Sequence, residues 1–404
     1  MIKSKKIVFK YSNIILLLIA LLFFLNTYQI SILNYVHPIS TYYFLIVLLL
    51  ILLPALKFNK ILSLKKLSPF VICLLVGMLS FVKSRSLIIL QITIICFATI
   101  KIDFRRIIKT YIGCIAISII ALWLLDYSGM LPHYSFARIG IANSGERMAF
   151  GFAHPNFFSL YLLALNFALY FIDHYSHKIL RLTLLAVSFF ITYKYSQSQT
   201  VAVILLAFLI YYLVSIIILP MQNFLSRFSW IIKLLFCIGM PILIYFVFKI
   251  SSSRSSLDFF VNLGVTANAR IYYANRALRT YGISLFGQKI TMYGTMYFNQ
   301  HTLTDVSKFF TIDCLYVLLA VRDGILASIV FWAIYFISFL KLYKIKEYGC
   351  LVVLFLLLVY SIMESGLSYF AMFFIFIRAF SNKGYSIEPG DKPANKKSLY
   401  KVRK

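Results

Sequence analysis

At 404 residues, with 62% hydrophobic and only 13% charged side chains, the chain excludes an ordinary soluble domain, where about a quarter of residues carry charge. The net charge of +28 does not point to nucleic acid, because the basic residues sit in short clusters between apolar runs rather than along one polar face. That is the positive-inside pattern of a multi-pass membrane protein.

Apolar runs near the roughly 20 residues needed to cross the bilayer fill most of the chain, leaving no room for a separate soluble domain. They predict an all-α polytopic integral membrane protein, a single membrane domain over residues 1–404 with about 12 transmembrane helices and both ends inside. The first helix is expected from about Asn13 to Leu33. Lys3, Lys5, Lys6 and Lys10 hold its start in the cytoplasm, and no small-residue cleavage site follows it, so it reads as uncleaved. The second (Tyr42 to Leu56) returns to Lys57 and Lys60, and Pro69 to Val82 and Leu87 to Ile100 form the next pair. A fifth helix (Tyr111 to Leu125) leads to an outer loop, residues 127–154, and Pro155 to Ile172 comes back. Leu180 to Tyr193 reaches the turn SQSQT, Val201 to Leu219 descends and Ile232 to Lys249 rises. A large outer loop, 251–323, is long enough to suggest function or a small folded cap with short amphipathic helices. Ile325 to Phe339 crosses inward, Leu351 to Met363 and Leu367 to Phe380 make a last hairpin, and 381–404 is a basic cytoplasmic tail.

The six cysteines, Cys73, Cys96, Cys114, Cys237, Cys314 and Cys350, lie in or beside apolar runs without CxxC spacing, so they imply neither disulfide nor metal. With no DxD and no HExxH, no cofactor is expected.

The polar stretch RIGIANSGERMAFGFAHPN, residues 138–156, runs straight into an apolar helix. Pro155 suits the first helical position, and the amides beyond it carry the positive end of the helix dipole, which favours an anion. Arg147 and His154 lie on the same approach. Two readings stay open here: a binding site at a helix mouth, or a plain helix start in which His154 or Asn156 is a cap and Arg147 a solvated charge.

Sorting the basic residues by this topology places 21 lysines and 6 arginines inside, 5 lysines and 8 arginines outside. The outer arginines are Arg85, Arg138, Arg147, Arg254, Arg270, Arg276, Arg279 and Arg322. Orientation alone is served by lysine, so this enrichment needs another reason, and the guanidinium fork that binds phosphate bidentately supplies one. Pairing with Asp126, Glu146, Asp258, Asp305, Asp313, Asp323 and Glu364 leaves several unpaired. Within the large loop, TANARIYYANRALRTY reads as an interfacial helix with Ile271, Ala274, Leu278 and Tyr281 on one face and Arg270, Arg276 and Arg279 winding along the polar side. Its alternative is an amphipathic helix whose arginines touch only lipid head groups. DCLYVLLAVRDG reads as a second amphipathic stretch, and together the two are expected to form a lid.

The series R-x-x-x-GF-x-HPN (Arg147, Gly151, Phe152, His154, Pro155, Asn156), S-x-S-x-T (Ser196 to Thr200), R-x-x-x-x-x-R-A-L ending in LFG (Arg270, Arg276, Leu278, Gly287) and D-x-x-Y-x-x-L-L-x-x-x-G (Asp313, Tyr316, Gly324) resembles the Wzy-type polysaccharide repeat-unit polymerases, which are similar to the O-antigen ligases. The resemblance covers roughly residues 110–345 and rests on the order of the motifs. It implies a glycosyltransferase of the bacterial plasma membrane with its active site facing outside. A growing capsular, exopolysaccharide or O-antigen-like glycan would move from undecaprenyl pyrophosphate to a lipid-linked repeat unit, with a flippase and a chain-length regulator as partners. Arg147 and Arg270 best match the pyrophosphate-binding arginines. Gln199 stands where the family often has arginine, with Lys194 a possible substitute, and Asp313 where the ligases usually have histidine.

From the residues, an attacking sugar hydroxyl must lose a proton and the pyrophosphate must be stabilised as it leaves. His154, His301, Asp313 and Glu364 are candidate bases, with His154 preferred for its position beside Arg147; Glu364, at the turn of the last hairpin, has simple solvation as its alternative. Arg138, Asn156, Gln199, His301, Arg276, Arg279 and Asp313 are read as substrate-binding. A ligase and an exporter or flippase of the same lipid-linked sugars are the competing functions.

Overall fold

In the computed structural model, residues 2–58, 64–132, 146–172, 177–217, 225, 227, 229–252, 265–294 and 309–381 are described. Arg138, His301 and the tail expected at 381–404, apart from Ser381, lie outside them. The described residues are helical, with no strand beyond two isolated bridges, Ser31 to Phe152 and Tyr293 to Phe310.

In chain order come α1 (Ile2–Gln29), α2 (Thr41–Phe58), α3 (Leu64–Ser84), α4 (Ile88–Thr99), α5 (Phe104–Tyr127) and α6 (Pro155–Ile172). They are followed by α7 (Lys178–Ile191), α8 (Gln199–Ile217), α9 (Ser229–Ser252, with a π turn inside), α10 (Val265–Tyr281), α11 (Ile325–Lys344), α12 (Tyr348–Met363) and α13 (Phe374–Phe380). Among the described residues eight helices are long and apolar enough to cross a membrane: α1, α3, α5, α6, α7 with its terminal π turn, α8, α9 and α11. Three shorter apolar helices, in α2, α4 and α12, accompany them. This is the build of a multi-pass membrane protein, in which each helix satisfies its own backbone without water. The many exposed Leu, Ile, Val and Phe side chains along α2, α3, α5 and α9 are what a lipid-facing surface requires.

The chain passes back and forth between two ends of the bundle. At one end Arg106 Nη1 donates to Ser12 Oγ at 2.9 Å, Arg378 pairs with Glu347 at 2.7 Å, and Lys341 Nζ donates to the Ser381 carbonyl at 2.7 Å. At the other end the Ala153 amide donates to the Ile30 carbonyl at 2.9 Å and the Met148 amide to Tyr195 at 3.0 Å. The segment before α6 is thus strapped across the ends of α1 and α7.

Two central pieces make no use of lipid. All of α4 except Ile88 is buried; at 1.5 Å per residue its 12 residues reach only about 18 Å, too short to span alone. The sequence predicted a regular crossing helix over Leu367 to Phe380, but here the chain makes two 3₁₀ turns, Gly366–Ser368 and Phe370–Met372, before α13. Leu367 and Phe370 to Ile377 are 0–2% exposed, so protein groups enclose the irregular backbone, the condition under which it is tolerated at membrane depth. Tyr111 stacks on Phe370, while Phe171 and Phe331 meet Phe374 and Phe376 edge-on, each such pair adding about 0.5–1.5 kcal/mol beyond its buried area.

The expected lid at DCLYVLLAVRDG is also corrected. A helical turn, Leu315–Leu318, and a π turn, Leu319–Asp323, are buried throughout except at Arg322, because the unbroken apolar run from Cys314 to Val321 leaves no polar face to float on water. The Tyr316 hydroxyl donates to the Leu358 carbonyl at 3.0 Å, and Ser80 Oγ to that of Asp323 at 2.9 Å. The plug closes against the LFG strip. Gly287 and Gly324 both have left-handed φ, +94° and +95°, and a Cβ on Gly324 would lie 2.3 Å from the Gly287 nitrogen.

Candidate functional site

The first turn of α6 is built as the sequence leads one to expect. Pro155 opens it without a donor to lose, and His154 Nδ1 accepts the Asn156 amide at 3.1 Å, a cap in which imidazole replaces the usual side-chain oxygen. That lone pair is taken by the cap, so the ring carries its proton on Nε2. Burial, then Arg147 and Arg270 nearby, lowers the His154 pKa to about 3, and the ring is neutral at any ordinary pH.

The turn aims the Asn156 amide between two chain-distant groups. Its Oδ1 accepts from Arg147 Nη2 at 2.8 Å, and its Nδ2 donates to Glu364 Oε1 at 3.1 Å. Arg147 is held from the other side by Nε donating to the Ser196 carbonyl at 3.0 Å. The same Glu364 oxygen accepts from Arg270 Nη2. Arg270 Nη1 donates to Thr200 Oγ1 at 2.6 Å, and its Nε lies 3.7 Å from Asp313 Oδ2. Two guanidinium groups, Arg147 from the segment before α6 and Arg270 from α10, therefore converge on one carboxylate, one through an amide and one directly.

Glu364 is 7% exposed, which overturns its reading as a solvated turn residue. The backbone becomes extended at Glu364 where α12 ends, and the side chain lies between Arg270 and Asn156. Burial pushes its pKa up to about 7; Asp313 adds to the rise, and Arg270 and Arg147 oppose it. Such a carboxyl exchanges its proton near neutral pH. Arg270 stays charged, the two carboxylates more than offsetting its burial.

His154, Asn156, Asp313 and Glu364, with Tyr360 and Tyr369, line a cavity of about 350 Å³, a size suited to a small molecule or one end of a larger one. Neither a family model, nor a curated protein, nor a solved structure matches the chain, so the chemistry of the site rests on these side chains and their geometry.

The structure brings together Arg147, His154, Asn156, Arg270 and Asp313. It separates the three arginines of α10, which the sequence placed on one polar side. At 100° per residue Arg276 and Arg279 stand about 120° and 180° from Arg270. Arg270 shares the inward face with the buried Ala274 and Ala277. Arg276 lies over the Phe310 ring, 5.3 Å from its centroid, and Arg279 is exposed. Gln199 and Lys194 are exposed as well; the SQSQT turn reaches the site through the Ser196 carbonyl and Thr200 instead. Sequence reasoning missed Thr200, and it undervalued Glu364. The available signal was a carboxylate in the short turn between two apolar segments, in a chain that has only 12 acidic residues.

Proposed function

We propose that the protein is a polymerase of polysaccharide repeat units, moving a glycan from undecaprenyl pyrophosphate to a lipid-linked repeat unit on the outer face of a bacterial plasma membrane. The observation that carries this reading is the convergence of Arg147 and Arg270 on Glu364, whose side chain lines the cavity with that of Asn156 although neither arginine does. A pyrophosphate needs fixed guanidinium forks, and an attacking hydroxyl needs a base beside them.

In this reading about twelve segments cross the membrane, counting the three shorter apolar helices and the broken segment after Glu364. The end with Lys101, Arg105, Arg106 and Lys344 is cytoplasmic by the positive-inside rule, and the site faces out. Glu364 is the base in place of His154, whose Nδ1 is engaged in the cap. The acceptor hydroxyl oxygen attacks the anomeric carbon of the donor glycan, and its proton passes to the Glu364 carboxylate. The bond from that carbon to the pyrophosphate oxygen breaks, and undecaprenyl pyrophosphate leaves with the bonding pair, its charge held by Arg147, Arg270 and the α6 N-terminus. When Arg270 turns from Glu364 to the phosphates, the carboxylate loses the cation that stabilised it and becomes a stronger base.

The test is the lipid-linked glycan in membranes lacking the protein, complemented with wild type or Arg147→Ala. Single units accumulating on the outer leaflet support the proposal, and single units trapped on the inner leaflet point to an exporter. Thr280→Cys should react with an impermeant maleimide on intact cells, and Lys344→Cys only after permeabilisation; the reverse overturns the orientation.

A further inference from the structure

A second cavity, of about 340 Å³, adjoins the first and shares with it the side chains of Tyr35, Phe157, Leu318, Arg322 and Tyr369. Its walls differ in chemistry. Among the described residues no carboxylate lines it; its polar lining is the amides of Asn26 and Gln29 on α1 and Gln91 on α4, the hydroxyl side chains of Thr41, Ser86 and Ser368, the exposed Arg85, and Arg322. Arg322 is neutralised by both oxygens of Asp323, each at 3.0 Å, and turns its Nη2 to Ser86 Oγ at 3.3 Å.

Gln91 is the telling residue. It is 5% exposed in a helix whose other polar side chains are two threonines, and a buried amide is costly unless its donors and acceptor are used. Among the described residues its one side-chain hydrogen bond is a long one, 3.4 Å from Nε2 to Asn26 Oδ1. A carbonyl oxygen and a second N–H remain for an occupant. Sugar hydroxyls both donate and accept, and sugar rings present C–H faces to aromatic rings. Paired amides beside Tyr35, Phe157, Tyr369 and Phe370 match that chemistry.

We infer that this second cavity, bounded by α1, α4 and the 3₁₀ turns after Glu364, is the acceptor subsite, holding a neutral sugar of the incoming lipid-linked unit while the pyrophosphate donor occupies the Glu364 cavity. The inference rests on the polymerase reading and adds to it where the second substrate sits. The shared wall of Phe157 and Tyr369 is where the two chambers meet, so a hydroxyl reaching past it enters the Glu364 cavity.

The experiment uses the full chain in nanodiscs and, as probe, lipid-linked single units extracted from cells lacking the protein. Gln91→Leu, close in volume, should raise the half-saturating unit concentration about tenfold, as loss of a hydrogen bond to a bound sugar does, with the maximal rate within twofold. A fall in maximal rate at unchanged half-saturation, or no change in either, overturns the acceptor subsite and leaves the polymerase reading intact. Should Gln91→Leu fail to fold, Thr41→Cys at the cavity mouth serves instead: the units should slow its reaction with maleimide at least fivefold, and equal rates with and without them overturn the subsite. If cells lacking the protein accumulate no single units, both readings fall.

Discussion

Asn156 and Glu364 are 208 positions apart in the chain and are joined by a 3.1 Å hydrogen bond from Nδ2 to Oε1. Because Asn156 Oδ1 faces Arg147 at 2.8 Å, the amide has only one useful orientation, and it transmits the position of one catalytic candidate to another. Asn156→Asp should reverse that relay by placing a second carboxylate against a buried one. We expect chain elongation to fall at least tenfold while the protein still accumulates, measured as the glycan length distribution against protein level.

Glu364→Gln keeps the shape and removes the proton acceptor. General bases contribute about 10²- to 10⁴-fold, so elongation in nanodiscs should drop into that range. Retention of more than a tenth of wild-type rate would remove Glu364 from the mechanism.

The pH profile follows from the same group. In the proposed mechanism the active form is the Glu364 carboxylate, and its pKa is raised to about 7, so the rate should rise roughly tenfold per unit below pH 7 and level off above about 8. His154, held neutral with a pKa near 3, adds no second limb between pH 5 and 8. A profile flat from pH 5.5 to 8 would contradict both assignments.

Lysine should not replace arginine at either position. Arg147 holds the Ser196 carbonyl and Asn156 through two nitrogens, and Arg270 holds Thr200 and Glu364 likewise. Arg147→Lys and Arg270→Lys keep the charge but lose the fork. Both should give short chains close to those of the alanine variants, as seen by gel analysis of the extracted glycan.

His154→Ala separates cap from base. Losing the cap of α6 costs about 1 kcal/mol, so the thermal midpoint should fall by a few degrees while elongation stays within tenfold of wild type. By contrast Gly324→Ala meets a backbone nitrogen at 2.3 Å with φ at +95°. It should cost at least about 2 kcal/mol and lower the yield of folded protein.

The membrane build was legible because lipid leaves so few options: long apolar runs separated by lysine clusters become helices. The start of α6 was legible too, since proline and a capping residue announce it locally. Glu364 was harder to place, because nothing near it in sequence says that Arg270 and Asn156 will enclose it. Arg270, Arg276 and Arg279 looked equivalent on a helical wheel drawn around Ile271 and Leu278, whereas small residues, Ala274 and Ala277, mark the face that packs inward. The broken segment after Gly366 has the composition of a crossing helix. Only enclosure by neighbouring side chains permits its irregular path, and the aromatic rings among them come from four other helices, α1, α5, α6 and α11.

That enclosure bears on how the protein is made. The residues from Leu367 to Phe380 leave the ribosome after α1, α4, α5, α6 and α11, which supply Phe23, Ile95, Tyr111, Phe171 and Phe331 to the core around them. A chain cut before position 366 would leave the rings of Phe23, Tyr111, Phe171 and Phe331 without the neighbours they pack on here.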